Sequence, residues 1–425
     1  MSYGGSDASA GHLACQAHAM LPDTPVRVPA APKRQWEIDA LRGLMLVLMT
    51  LTHLPTRFAS PISQPFGYVS AAEGFVLLSA FVAAKVYTMK QQRGGDAALQ
   101  RGFYGRAFQL WLVQAGLLAV LFTLIALLGL LANQPAVKDL ISFYLERPVV
   151  AVAAGLLLIY SPPLLDILPM YVLFMLVSPL LLLHGGRRGW GFIAAGSVLL
   201  WLGAQLDLGT YLYESAAHWA RIPVPVHQTG AFSLPGWQLL WVAGLWMGAR
   251  AALGLRVAPT FPRWLVVAAW TFALTTLLWR HAMGQTPWPV DGTLPAALNA
   301  AFDKWHLGPL RLLNLFVLGV LVLHHGPALA ARMRRPKTLE LLGRASLPVF
   351  CAHLLLVLLA LAFFGAARPG RPWGVDVAIL TIAFAVLYLV AHISTAIDRR
   401  NAEKKAGSTA RRDAPAPALN AGASR

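Results

Sequence analysis

Ten stretches of this chain, each close to 20 residues long, are almost free of charge. They lie at 40–57, 67–88, 108–132, 166–184, 189–207, 235–252, 263–280, 309–325, 346–364 and 375–396. About 20 mostly apolar residues are needed to cross the hydrocarbon of a bilayer as a helix. A backbone in lipid must satisfy its own hydrogen bonds, so apolar runs of this length become helices. The chain is 57% hydrophobic and 12% charged, where a soluble domain carries about 25% charged residues, so a soluble enzyme is excluded. The expected fold class is an all-α polytopic membrane protein with about ten transmembrane helices and both termini cytoplasmic. A further apolar run, 149–160, ends in Ser161-Pro162-Pro163. At about 12 residues it reads as interfacial or re-entrant; if it spans, the count becomes eleven and the termini lie on opposite sides.

A net charge of +17 would point to nucleic acid in a soluble chain. Here roughly three quarters of the Lys and Arg fall on the segments that share a side with the N-terminus, the pattern that fixes membrane orientation. The basic character is therefore topology, and no nucleic-acid partner is expected. Cys15 and Cys351 cannot build a disulfide framework, and no Cys/His spacing resembles a metal site. Residues 1–35 are rich in Ala, Gly and Pro without an apolar h-region, and are expected to be a disordered cytoplasmic tail. Residues 36–399 form the membrane domain, and 400–425 read as a second disordered tail. No internal repeat is visible, and nothing in the sequence sets the oligomeric state.

Ionisable residues inside spans are costly and mark functional paths. The first span opens Trp36-Glu37-Ile38-Asp39-Ala40-Leu41-Arg42-Gly43 and ends His53-Leu54-Pro55. Arg42 and His53 are eleven residues apart, about 20° past three full turns, so they share one face at about 16 Å separation along the axis. Asp39 lies three residues before Arg42, within pairing reach. A basic entrance leading to an imidazole suits an anionic donor reaching inward from the cytoplasm; the alternative is that Arg42 snorkels to headgroups and His53 caps the helix. The second span opens Tyr68-Val69-Ser70-Ala71-Ala72-Glu73-Gly74-Phe75, with Glu73 at roughly the depth of His53. A carboxylate there would orient the imidazole and stabilise its protonated form; the alternative is a structural Glu bonded to the backbone or to a Lys partner. Small residues on this helix suit close packing.

Further candidates follow. Asp166 opens the fourth span, where a carboxylate is also a natural cap. Gln238 lies inside the sixth. Asp303-Lys304-Trp305-His306 to Arg311 precedes the eighth, with Lys304 and Arg311 able to meet an anionic group or to anchor at the interface. The ninth carries His353, either a packing partner or part of the path.

On Ile38-Asp39-Ala40-Leu41-Arg42-Gly43 through His53-Leu54-Pro55, and on Gly67-Tyr68-Val69-Ser70-Ala71-Ala72-Glu73-Gly74-Phe75 to Ser79, the chain resembles the osmoregulated periplasmic glucan succinyltransferase (OpgC) family, within the transmembrane acyltransferase superfamily. Asp166-Ile167-Leu168-Pro169-Met170-Tyr171, Trp237-Gln238-Leu239-Leu240 and Asp303-Lys304 to Arg311 extend the likeness over the membrane region. Ser79-Ala80-Phe81 stands where the family has Ser-Gly-Phe, a small change in packing.

The resemblance implies transfer of an acyl group, succinyl favoured, from cytoplasmic acyl-CoA to hydroxyls of a periplasmic glucan at the bacterial inner membrane. Acyl-CoA is then the donor co-substrate, as succinyl-CoA or alternatively acetyl-CoA, with no metal, and the partners are bilayer, donor and glucan. Arg42 and Asp39, with Lys85 and Arg106, are expected at the CoA phosphates. His53 acts as general base, oriented by Glu73, so activity should fall at low pH. Asp166, Gln238, Lys304, Arg311 and His353 are expected at the substrate. Acetylation of another surface glycan, a proton-coupled transporter or flippase, and a purely structural protein remain as alternatives.

Overall fold

The first helix, α1 (Trp36–His53), carries Glu37, Asp39 and Arg42 within its 18 residues, more charge than a lipid-facing helix tolerates. Its burial must therefore come from other helices, and the fold is built around it. The computed structural model describes residues 35–257, 260–284 and 293–412. The remaining residues, which include almost all of the N-terminal tail and 413–425 of the C-terminal one, lie outside this description. Among the described residues every regular element is helical.

A helix is found at each of the ten apolar stretches. After α1 comes α2 (Ala71–Val120), which continues through a π turn at Leu121–Ile125 to Leu131. Taken as one rod, its 61 residues would be about 90 Å long, three times the hydrocarbon thickness. It folds back instead. Gly94 and Gly95 leave helical geometry, Gly95 at φ +69° and ψ −174°, a conformation open to glycine and few others. Tyr87 and Phe103, one on each limb, then meet with ring centroids 4.6 Å apart. The two limbs of α2 thus supply the second and the third apolar stretches.

The run 149–160 becomes α3 (Pro148–Leu156), a nine-residue helix too short to cross a bilayer. There follow α4 (Ile167–Arg188), α5 (Gly191–Ala204), α6 (Leu208–Ala220), α7 (Leu234–Ala252), α8 (Arg263–Met283) and α9 (Pro309–Arg332). Next is the short α10 (Lys337–Arg344), then α11 (Ser346–Phe364) and α12 (Trp373–Arg412). Six helices are long and apolar enough to cross a membrane, or seven if α5 and α6, bent by 80°, count as one span. The chain is a multi-pass helical membrane protein. α12 runs on to Arg412, past the expected boundary at 399; Ala, Glu and Lys after Asn401 are good helix formers, so this part of the expected tail is helical.

The main core joins α1, α2, α4, α7, α10 and α11 through buried residues such as Leu46, Phe75, Tyr171, Trp241 and Phe350. α8 and α9 form a smaller cluster of their own. They are tied to the rest by Arg280 Nε donating to Gln64 at 3.0 Å and by Asn314 accepting from the Tyr68 N–H at 2.8 Å. Beyond His53, Arg57 pairs with the buried Asp376 of α12 at 2.9 Å, and Arg371 donates to the Pro55 carbonyl at 2.6 Å. These bonds pin the chain just past His53.

Candidate active site

α1 and α10 meet backbone to backbone. A methyl group added at Gly43 would overlap the Leu339 carbonyl, and one at Gly343 would overlap the Asp39 carbonyl. That contact sets Arg344 beside the start of α1, with its Nε 3.9 Å from Asp39 and its Nη2 on Glu340. Arg42 donates to Ser346, the first residue of α11, at 2.5 Å. Asp39 is thus at Arg344, where it orients a cation. A carboxylate is also ill suited to meet phosphates itself.

Arg42 and Arg344 line a cavity of about 540 Å³ together with Lys90, Arg101 and Arg106. Five cations converge on it. The rest of its wall is largely apolar or aromatic, including Phe75, Tyr171 and Phe350. Arg106 enters as expected, donating to Gln109 at 2.7 Å. Lys85 is not in the lining; its ammonium lies over the Phe81 ring at 6.0 Å. Lys90 and Arg101, which flank the Gly94-Gly95 turn, and Arg344 are the cations that sequence reasoning missed. A clue was available for the first two, because that basic loop is short and glycine-bearing and so had to fold back on itself.

At the other end of α1, His53 lines a second cavity, of about 530 Å³, with Asp166, Lys304 and Trp305. Its Nδ1 is 3.1 Å from Nε2 of His353, which is fully buried on α11. Nδ1 of His353 is 3.0 Å from the Phe350 carbonyl. A carbonyl only accepts, so Nδ1 of His353 carries the proton and its Nε2 is bare. His53 must then donate from its own Nδ1, which leaves Nε2 of His53 unprotonated, with no hydrogen-bond partner among the described residues. Two imidazoles and one carbonyl thereby define a tautomer with a basic nitrogen available.

Glu73 does not orient that imidazole, contrary to expectation. Glu73 is fully buried: its Oε1 accepts from Arg311 Nη1 at 2.5 Å and its Oε2 accepts from the backbone N–H and hydroxyl of Ser70 at 3.0 and 2.5 Å. Ser70 and Glu73 form the capping box of α2, a local arrangement that captures a Glu three residues into a helix. Arg311 also donates to the Phe302 carbonyl at 3.1 Å. This ion pair is closed, and Arg311 does not line the His53 cavity. Nor does Gln238: both of its amide hydrogens and its oxygen are spent on Ser197 and on the Pro235 carbonyl, at 2.7, 3.1 and 2.7 Å, so it braces α7 against α5. His353 acts on His53 and is itself too deep to be at the substrate.

Asp166 and Lys304 do line the cavity. Asp166 accepts from the Ala231 N–H at 3.1 Å, fixing a loop on the wall. Lys304 lies over the rings of Trp305 and Phe232, at 4.6 and 5.8 Å, and has no carboxylate within ion-pair distance among the described residues. Burial pushes its pKa below that of an ordinary lysine. The loop bearing it is held rigidly: the Trp201 and Trp237 indoles donate to the Leu307 and Trp305 carbonyls, and Gln205 donates to that of His306. The carboxylates of Glu73, Asp166 and Asp303 act on this cation from beyond ion-pair distance, so its ammonium is not neutralised by a direct partner among the described residues.

Comparison with known proteins finds that a family model described as OpgC protein matches residues 34–399. No curated protein and no solved structure matches the chain.

Proposed function

The chain belongs to the OpgC family, of membrane acyltransferase type, and from that premise we propose that it transfers succinyl from cytoplasmic succinyl-CoA to a hydroxyl of a periplasmic glucan in the bacterial inner membrane. The observation that carries this reading is the pair of cavities at opposite ends of α1, one with five cations and the other with a bare imidazole nitrogen. In this reading ten helices cross the bilayer. Both termini are cytoplasmic, since the basic loops cluster on the Arg42 side.

The five cations bind the CoA phosphates, where guanidinium groups meet phosphate in paired hydrogen bonds. The pantetheine arm carries the thioester along the roughly 16 Å from Arg42 to the level of His53. The glucan hydroxyl enters from the His53 side. Nε2 of His53 takes its proton as the oxygen attacks the thioester carbonyl, the new C–O bond forms, the C–S bond breaks, and the imidazolium returns the proton to the departing CoA sulfur. His353 holds the imidazole by accepting from Nδ1. No covalent enzyme intermediate is needed, because both reactants are held together.

Lys304 supplies the reason to favour succinyl. Its ammonium, boxed by two aromatic rings, meets the distal carboxylate of a dicarboxylic acyl group, which acetyl lacks. Arg311, saturated by Glu73, is unsuited to the same task.

The test is acyl transfer in proteoliposomes, comparing succinyl-CoA with acetyl-CoA on a β-glucan, with His53→Ala as control. Transfer from succinyl-CoA that disappears in the variant is expected. A protein that neither binds CoA nor modifies the glucan, while moving a glycan across the membrane, would make transport the better reading.

A further inference from the structure

Four helices line both cavities, and each passes from one to the other at the same level. On α1 the lining changes between Arg42 and Met49; on α2, between Phe75 and Ala72. On α4 and α11 the change falls on single residues, Ile167 and Phe350, which are common to both linings. The two cavities therefore adjoin at Ile167 and Phe350, and these are the side chains that stand between them there.

The two differ in freedom. Ile167 is β-branched and close to the start of a helix, where χ1 is nearly fixed. The Phe350 backbone is held, because its carbonyl takes the His353 proton, but its ring is packed against other rings. It stacks on Phe75 with centroids 5.9 Å apart and 15° between planes, and tilts against His353 at 5.3 Å. Ring contacts of this kind have broad, offset geometries, so the ring, unlike the backbone, is the part of Phe350 able to shift. Phe350 is 3% exposed, so its ring fills the space between the two linings at this point.

We propose that the Phe350 ring is the movable partition of the acyl route. It keeps the thioester in the cationic cavity away from the water of the His53 cavity, and it swings aside only when the acyl arm passes. This rests on the acyl-transfer reading and adds to it a residue that couples CoA release to glucan modification. Without the partition, water replaces the sugar hydroxyl: its oxygen attacks the thioester carbonyl, the C–S bond breaks, and succinate and CoA thiol leave, the proton of water ending on the sulfur. Phe350 is a positioning residue in this scheme, since it takes part in no bond change.

The experiment measures CoA release from succinyl-CoA in proteoliposomes, with and without β-glucan, and counts succinyl groups transferred per CoA released. In the wild type, release should depend on glucan, with a ratio near one. Phe350→Ala should raise glucan-independent release about tenfold or more and lower the ratio. Phe350→Trp, which fills the same layer, should slow transfer several-fold while keeping the ratio near one, and supplies the answer if the alanine variant does not fold. A ratio in Phe350→Ala equal to wild type, or wild-type transfer rates in Phe350→Trp, would overturn the partition. Absence of glucan-dependent release in the wild type itself would instead strike the acyl-transfer reading.

Discussion

Two polar pairs lie on the helices that begin and end near His53, and they use the same ingredients to opposite effect. Glu73 and Arg311 engage one another: both carboxylate oxygens accept, and the guanidinium donates from Nη1 to Glu73 and from Nε to the Phe302 carbonyl. His53 and His353 form an open chain, anchored at one end on the Phe350 carbonyl and ending at the other in a nitrogen that faces a cavity. A buried ion pair whose carboxylate has both oxygens occupied holds helices in register. A hydrogen-bonded chain with one valence left over is poised to accept a proton. Chemistry at this depth is thus told from scaffolding by counting unfilled partners, not by charge.

The sharpest way to break that contrast is to remove the open end. His53→Ala should lower succinyl transfer by about 10²–10⁴, with CoA binding and thermal stability close to wild type. Glu73→Gln should do the reverse. Breaking one partner of a buried pair costs about 3–5 kcal/mol, so yield and melting temperature in detergent should fall, and the protein that survives should keep its pH–rate profile. Pairing Glu73→Leu with Arg311→Met should recover stability. A stable Glu73→Gln with the kinetic defect of His53→Ala would reverse the roles assigned to the two pairs.

The sequence made Arg42 and His53 legible because both lie on one helix, where 3.6-residue periodicity fixes their relative position. It made the helices themselves legible because lipid leaves the backbone few choices. Glu73 misled for a local reason: a Glu at the third position of a helix that begins with Ser is drawn into a capping box, and depth alone did not reveal that. The approach of Arg344 to Arg42 and of His353 to His53 depends on which helices are neighbours, which one sequence does not encode in any local pattern, whereas Lys90 and Arg101 could have been read from the glycine-bearing loop between them. Gln238 looked functional since it is polar and intramembrane, yet its amide is consumed by Ser197 across a helix contact. Of the tails, residues 1–34 and 413–425 lie outside the described residues.

The middle of the open chain offers a finer test. His353→Gln offers an acceptor to His53 Nδ1, whereas His353→Leu offers none. Transfer should fall by about tenfold in the first and about a hundredfold in the second, with the glucan KM little changed, as expected of a residue that acts through the base. Equal losses in both would mean that His353 serves packing alone. At the far cavity, Arg101→Ala or Lys90→Ala should raise the donor KM several-fold at unchanged kcat, more strongly at low ionic strength. Lys85→Ala, outside that lining, should leave the donor KM as it is.

The smallest effect concerns the loop that carries Lys304. His306 bridges Asp303 at 2.9 Å and Asp207 at 3.3 Å. Its hydrogen bond to Asp303 raises the His306 pKa above 6.5. Burial works to raise Asp303, but hydrogen bonds from His306 overcome it, and Asp303 titrates below 3.8. The contribution of His306 is then complete below pH 6.5 and lost as pH rises through its folded value; that of Asp303 is present above pH 3.8 and lost as pH falls through its folded value. Between those limits the loop is held most firmly. Alkaline pH should therefore loosen Lys304 and raise the KM for succinyl-CoA relative to acetyl-CoA by about twofold, since only succinyl uses that ammonium. His306→Asn should show the raised ratio at neutral pH and no further rise above it. A ratio that climbs with pH to the same extent in His306→Asn would assign the change to Lys304 losing its own proton, leaving the bridge a structural brace with no part in acyl choice.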